Sequence, residues 1–369
     1  MKKILIYLIL VLSALSCREK YAQPESAPAA ISFVAPEVIQ TKSVLIEDEA
    51  QLVTGAGELG YAVFAARYII GTNGGMVEHQ QFMDDVKVYS RDGGATWSYS
   101  GTYYWSPGAV HKFFAVYPYY DKDIDTYDLG ISYAINEVEH ALQVTGKHKE
   151  GSKTYICTGT DENGKNLCPD ILFGVEKYSE PYNVGENRKP INFKLSHALS
   201  AVSFKFRNAS EYPVVKIEPQ EIIGFMNASE YVRLSEDGAI WAENPIALPE
   251  HSFVIPGFNT TAPQGSQKIA AGAYFVTSGN YWQTCLMIPQ NFGALPVSPY
   301  FTFKVTMENS EPKTYTINFK DYAVHTEAVN AYSYLPGHHY VYNFNVTASK
   351  IMCDVSIVPW IEDEPIHLN

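Results

Sequence analysis

The chain has little charge, few cysteines and no long apolar run. Charged residues make up only 18% of its 369 positions, with acids in excess and a formal net charge of −13. Nucleic acid is held by basic surface, so this balance argues against a nucleic-acid partner. Five cysteines are scattered without a Cys-x-x-Cys pair, which leaves zinc and thioredoxin-like chemistry without support. No His-Glu-x-x-His, Gly-x-Ser-x-Gly, phosphate-binding loop or Gly-x-Gly-x-x-Gly run occurs, and the sequence carries no sign of an enzyme or a cofactor. Helical periodicity is nearly absent.

What is present begins with an export signal. Lys2 and Lys3 precede an apolar run, Ile4 to Leu12, and then Ser13-Ala14-Leu15-Ser16-Cys17. The run is shorter than the about 20 residues a membrane-spanning helix needs, and the pattern is that of a secretory signal peptide. A cysteine directly after a small residue marks a lipoprotein signal, in which Cys17 is acylated and becomes the first mature residue. The order Ala14-Leu15 is swapped relative to the usual signal, and ordinary cleavage is the alternative. Residues 18–30, REKYAQPESAPAA, read as a flexible tether to the outer membrane.

Aromatics reach 14%, including 27 tyrosines, the balance of a β-rich extracellular protein. Short apolar or alternating runs recur, among them Tyr61–Ile70, Lys112–Tyr117, Ala201–Arg207, Tyr300–Met307 and His339–Val346. Turn residues separate them, as in Asp92-Gly93-Gly94, Asn163-Gly164, Asp237-Gly238 and Pro336-Gly337. Many short strands between such turns predict an all-β protein of sandwich type. The polar stretch 179–190, SEPYNVGENRKP, suggests a boundary near residue 190, giving domains over 31–190 and 191–369.

Several blocks then resemble a known family in chain order. They are Trp97-Ser98-Tyr99, Tyr103-Tyr104-Trp105, His111 through Pro118, Pro169-Asp170-Ile171-Leu172-Phe173-Gly174, Ile191 through Phe204 with its His197-Ala198-Leu199-Ser200 centre, Leu286-Met287-Ile288-Pro289-Gln290, Leu335 through Tyr342, and Val358-Pro359-Trp360. Together they resemble the Bacteroidales fimbrillin-like family. The resemblance implies two transthyretin-like β-sandwiches in tandem and a structural role in type V pili at the cell surface. It also implies other pilin subunits as partners, and a trypsin-like protease that cuts after Arg or Lys to remove the first strand. A neighbour's strand would then fill the slot. The segment from Ile31–Val34 to Val44–Ile46 is the candidate first strand, with Lys42 and Arg67 as the candidate cleavage positions; neither being cut is the alternative.

Smaller signals have bland readings beside the sharp ones. Cys157 and Cys168 flank a turn-rich stretch and form a candidate disulfide, or stay as buried thiols. Trp97, Tyr103 and Trp105 are candidate stacking residues for a glycan, but core packing uses the same residues. A non-polymerising surface lipoprotein that binds a glycan or host protein is therefore the rival reading. His338 and His339, adjacent in a strand, point to opposite faces and do not make a metal pair. His197, among alternating apolar residues, reads as a hydrogen-bonded core histidine.

Overall fold

The computed structural model describes residues 27–38, 60–71, 76–92, 95–119, 132–136, 140–146, 148–159, 168–248, 284–292, 295–319, 333–347 and 350–359. The signal peptide with Cys17, Lys42, the Val44–Ile46 run, the loop 160–167 and Trp360 lie outside these residues. Twenty-three β-strands form among the described residues, as the all-β reading predicts.

The central sheet has seven strands: β1 (Glu37–Val38), β2 (Gly60–Ile70), β3 (Met76–Tyr89), β4 (Ser98–Tyr99), β5 (Ala109–Tyr117), β10 (Leu172–Tyr178) and β11 (Lys194–His197). Their spatial order is β1-β11-β10-β5-β2-β3-β4. Strands β2 and β5 at its middle read as near-continuous apolar runs, interrupted by Arg67 and by His111-Lys112, rather than as alternations, because both faces are covered. Ala62, Phe64, Phe114 and Val116 face one apolar cluster. Tyr61, Val63, Phe113 and Ala115 face another.

The first face packs beneath a four-stranded sheet, β16-β15-β7-β6, made of β6 (Ser132–Asn136), β7 (Ala141–Thr145), β15 (Tyr231–Ser235) and β16 (Gly238–Trp241). Leu142, Val144, Val232, Leu234 and Trp241 supply its side of the cluster. A short sheet of β8 (His148–Glu150), β9 (Lys153–Cys157) and β14 (Ala228–Ser229) adjoins it in sequence.

Later strands build a second aromatic core. One sheet joins β12 (Ser200–Asn208), β17 (Thr284–Met287), β22 (His338–Val346) and β23 (Ile351–Pro359), and another joins β13 (Val214–Ile223), β19 (Tyr300–Met307) and β20 (Lys313–Asn318). Phe204, Phe206, Phe301, Phe303 and Phe344 meet between them. Strand β19 alternates half-buried and buried residues throughout, the period-two signature of a one-sided strand. Two further short strands, β18 (Gln290–Asn291) and β21 (Ser333–Tyr334), pair with each other.

The chain crosses residue 190 without a change of sheet. Strand β11 pairs with β10, β14 with β9, and β15 with β7, so residues 194–241 contribute strands to sheets shared with residues 141–178. The polar stretch 179–190 is also no bare linker: Tyr182 within it is 1% exposed.

Candidate functional site

The N-terminal segment lies in a slot. Ala29 to Ile31 run beside Tyr103–Trp105, where the Ile31 amide donates to Tyr103 O (2.8 Å) and the Trp105 amide to Ala29 O (3.0 Å). From Ser32 onward the segment follows the stretch 191–195 in parallel. The Ile191 amide donates to Ser32 O (2.8 Å), Val34 to Ile191 O (3.1 Å) and Glu37 to Phe193 O (2.8 Å). Strand β1 continues this pairing, Glu37 opposite Lys194 and Val38 opposite Leu195.

Over residues 31–34 its side chains alternate as an extended strand requires, and the phase shifts by one at Pro36. Ile31, Phe33 and Pro36 are buried, while Ser32, Val34 and Glu37 are exposed. Phe33 stands 5.5 Å from the Tyr99 ring and 6.1 Å from Phe193. The Tyr99 hydroxyl donates to Ile31 O at 2.5 Å. Tyr61 lines the same cluster, and burial raises its pKa well above the usual phenol value.

The aromatic residues singled out in the sequence are walls of this slot. Trp105 is 2% exposed, and its ring meets Phe113, Tyr178 and Tyr182 at 5.4, 4.8 and 6.1 Å. A buried ring offers no platform to a sugar, so Trp105 packs rather than stacks on a ligand. Trp97 and Tyr103 are half-buried, 5.3 Å from Tyr61 and 5.9 Å from Tyr99 respectively.

Of the cleavage candidates, Arg67 sits inside β2, paired with Gln80 on one side and His111 on the other. Its Nη1 donates to Ser106 Oγ at 2.6 Å and its Nη2 bonds Gln80. A scissile segment has to leave its ladder to enter a protease cleft, and a central strand cannot do so without local unfolding. Cys157 and Cys168 are both buried free thiols, not a disulfide. Burial drives the Cys168 thiol pKa up, with Asp170 and Cys157 adding to it.

A second constellation joins three of the sequence blocks. His197 on β11 and Asp170 just before β10 are both buried, with Nδ1 2.9 Å from Oδ2 and 3.0 Å from Oδ1. The Ala198 amide donates to Ile171 O (2.8 Å), the Gly337 amide to Leu199 O (2.8 Å) and Ser200 Oγ to Leu335 O (2.9 Å). Trp241 Nε1 donates to Ala198 O at 2.7 Å. Gly174 is needed here because a Cβ would lie 2.8 Å from Lys194 O on the adjoining strand. His339 is buried and bonded to Ser203 Oγ (2.7 Å), whereas His338 turns back to Pro336 O (2.8 Å), so the two rings do not converge. Among the described residues no group of three or more metal-ligating side chains comes together.

Sequence reasoning missed one residue of this region. Arg188 belongs to the stretch that read as polar linker, yet its side chain is 8% exposed. Its guanidinium carbon stands 4.9 Å over Trp105, 5.0 Å over Tyr178 and 5.6 Å over Tyr182. The only signal was the spacing of Tyr178 and Tyr182 before a lone arginine.

This geometry defines an all-β protein whose N-terminal segment is held in an apolar slot by strand pairing. The fold matches that of a fimbrial protein from Bacteroides vulgatus, with a TM-score of 0.54 and 17% identity, over 90% of this chain and 99% of that one. A tip fimbrial protein from Porphyromonas gingivalis (13% identity, 82% and 95% covered, TM-score 0.33) and a fimbrial assembly protein from Parabacteroides distasonis (9% identity, 82% and 99% covered, TM-score 0.33) are more distant. No curated protein matches the chain. The fimbrillin-like family model matches residues 66–360, and the chain belongs to that family, whose members are structural adhesion proteins and not enzymes.

Proposed function

We propose that the protein is a cell-surface fimbrial subunit that assembles by donor-strand exchange after its N-terminal strand is cut away. The observation that carries this reading is the slot itself. Residues 29–38 contribute buried side chains and backbone hydrogen bonds to two flanking stretches, and a basic residue, Lys42, follows them in sequence. Removing such a strand leaves unpaired backbone groups beside an apolar groove. That is the state a strand from a second subunit would satisfy. Lys42 is the preferred cleavage position over Arg67, which is built into the central sheet.

In this reading Cys17 carries an acyl anchor at the outer membrane, and the tether expected over residues 18–30 gives way to the slot-bound strand at Ala29. Two tandem β-sandwiches, meeting in the cluster around Leu199 and Leu286, provide the body of the subunit. The fimbrial proteins with which the fold is shared support a place in a fimbrium.

N-terminal sequencing of the mature surface form tests the proposal. A start at Ser43, with an SDS-resistant ladder appearing after trypsin-like cleavage, is the expected result. A terminus blocked at Cys17 on every molecule, and no ladder, would overturn it and favour the anchored, non-polymerising lipoprotein.

A further inference from the structure

The geometry points to Arg188 as a latch on the N-terminal strand: its aromatic cage holds the strand at the end opposite to the cut, and so governs how readily that strand leaves. Two walls of the cage are also the two groups that grip Ala29. The Tyr182 hydroxyl accepts from the Ala29 amide at 2.9 Å, and the Trp105 amide donates to Ala29 O at 3.0 Å. Arg188 stands over both of these rings and over Tyr178.

The cage is held from outside as well. Glu186 Oε1 accepts from Arg188 Nε at 3.0 Å, and Glu180 O accepts from Nη2 at 3.2 Å. The Tyr182 hydroxyl donates to Glu186 O at 3.3 Å. Backbone bonds to Tyr182 from Gly108 (2.9 Å), and from Tyr182 to Ala109 O (3.0 Å), pin the loop to the start of β5. A guanidinium over aromatic faces gains most where water is excluded, and Arg188 is nearly so. Withdrawing it would free the Tyr182 and Trp105 side chains to move, and both carry or adjoin a bond to Ala29.

Direction gives the latch its meaning, which rests on the strand-exchange reading above. A cut after Lys42 would loosen the segment from its C-terminal end, around Glu37. The fragment would still be fixed at Ala29. That fragment includes Cys17, so a latched subunit stays tied to its anchor after cleavage until the strand is displaced along its whole length. Arg188 is thus a positioning residue: it touches the groups that hold the strand, not the strand itself.

Amide hydrogen exchange on the full chain tests this without any polymer. In Arg188→Gln the amides of Ile31, Val34 and Glu37, which donate to Tyr103 O, Ile191 O and Phe193 O, are expected to exchange at least about tenfold faster than in the parent. Amides of β19 and β20 should be unchanged. Equal rates at the three N-terminal amides, or acceleration spread evenly into β19 and β20, would overturn the latch. Glu186→Ala, which removes the outer carboxylate and leaves the cage walls intact, should accelerate the same three amides by a smaller factor. It keeps the test decisive should the arginine variant fail to fold, and unchanged rates in it would then count against the latch. If the exchange result holds but no ladder forms on cleavage, the latch stands and donor-strand polymerisation falls.

Discussion

His197 Nδ1 and Asp170 Oδ2 lie 2.9 Å apart in a pair that solvent does not reach, at 1% and 2% side-chain exposure. They come from two sequence blocks separated by the whole 179–190 loop, and they fix β11 against the entry to β10. Losing one member of a buried polar pair strands the other. Asp170→Ala should therefore lower unfolding free energy by about 2–4 kcal/mol, read as a fall in the urea midpoint at constant slope. A change under half a kilocalorie would mean the pair contributes little.

The first strand offers a contrast between neighbouring positions. Phe33 is 5% exposed and Val34 is 38% exposed. Phe33→Ala should cost about 3–4 kcal/mol through lost burial and the cavity left behind, whereas Val34→Ala should stay within about 0.5 kcal/mol. Thermal melts of the two variants side by side check this, and equal losses would contradict the alternation.

His111 makes stability depend on pH. Burial, then the charges of Arg188 and Arg67, lower its pKa to about 4 from an ordinary 6.5. Its Nε2 accepts from the Ser106 amide at 3.1 Å, a role the neutral ring alone can fill. Between those two pKa values the unfolded chain binds a proton that the folded chain refuses. The contribution is therefore complete above about pH 6.5, shrinks as pH falls toward 4, and levels off below, for a total on the order of 3 kcal/mol. Denaturant titrations from pH 7.5 to 4 should show this slope, and His111→Gln should flatten it.

Gly174 is predicted to tolerate no side chain. A Cβ there would meet Lys194 O at 2.8 Å and the Phe193 and Leu195 side chains at 3.2 and 3.1 Å. Gly174→Ala should cost about 1–3 kcal/mol by overpacking, with the loss localised by hydrogen exchange to β10 and β11. Exchange unchanged in those two strands would show that the backbone adjusts freely.

Much of the fold was readable because its longest strands are one-composition runs. Tyr61–Ile70 and Lys112–Tyr117 fall within β2 and β5, and Tyr300–Met307 is β19. Strands β6, β7 and β14–β16 were not read, since they are short and pair across large sequence separations, such as Val144 with Val232. No local pattern encodes a partner that far away. The same limit hid the sharing of sheets across residue 190. It also hid the cage of Arg188, whose walls come from residues 105, 178 and 182. The aromatic block at 97–105 was visible, but whether such rings face inward or outward depends on the segment 29–38 that covers them.

Ile31, Phe33 and Pro36 of that segment are buried, while the backbone contacts around them are indifferent to side-chain identity. A substitute strand would have to satisfy a vocabulary of about three inward positions, with the exposed letters between them unread. Subunits that diverge widely over their surfaces would then remain mutually intelligible, provided that this short phrase is kept.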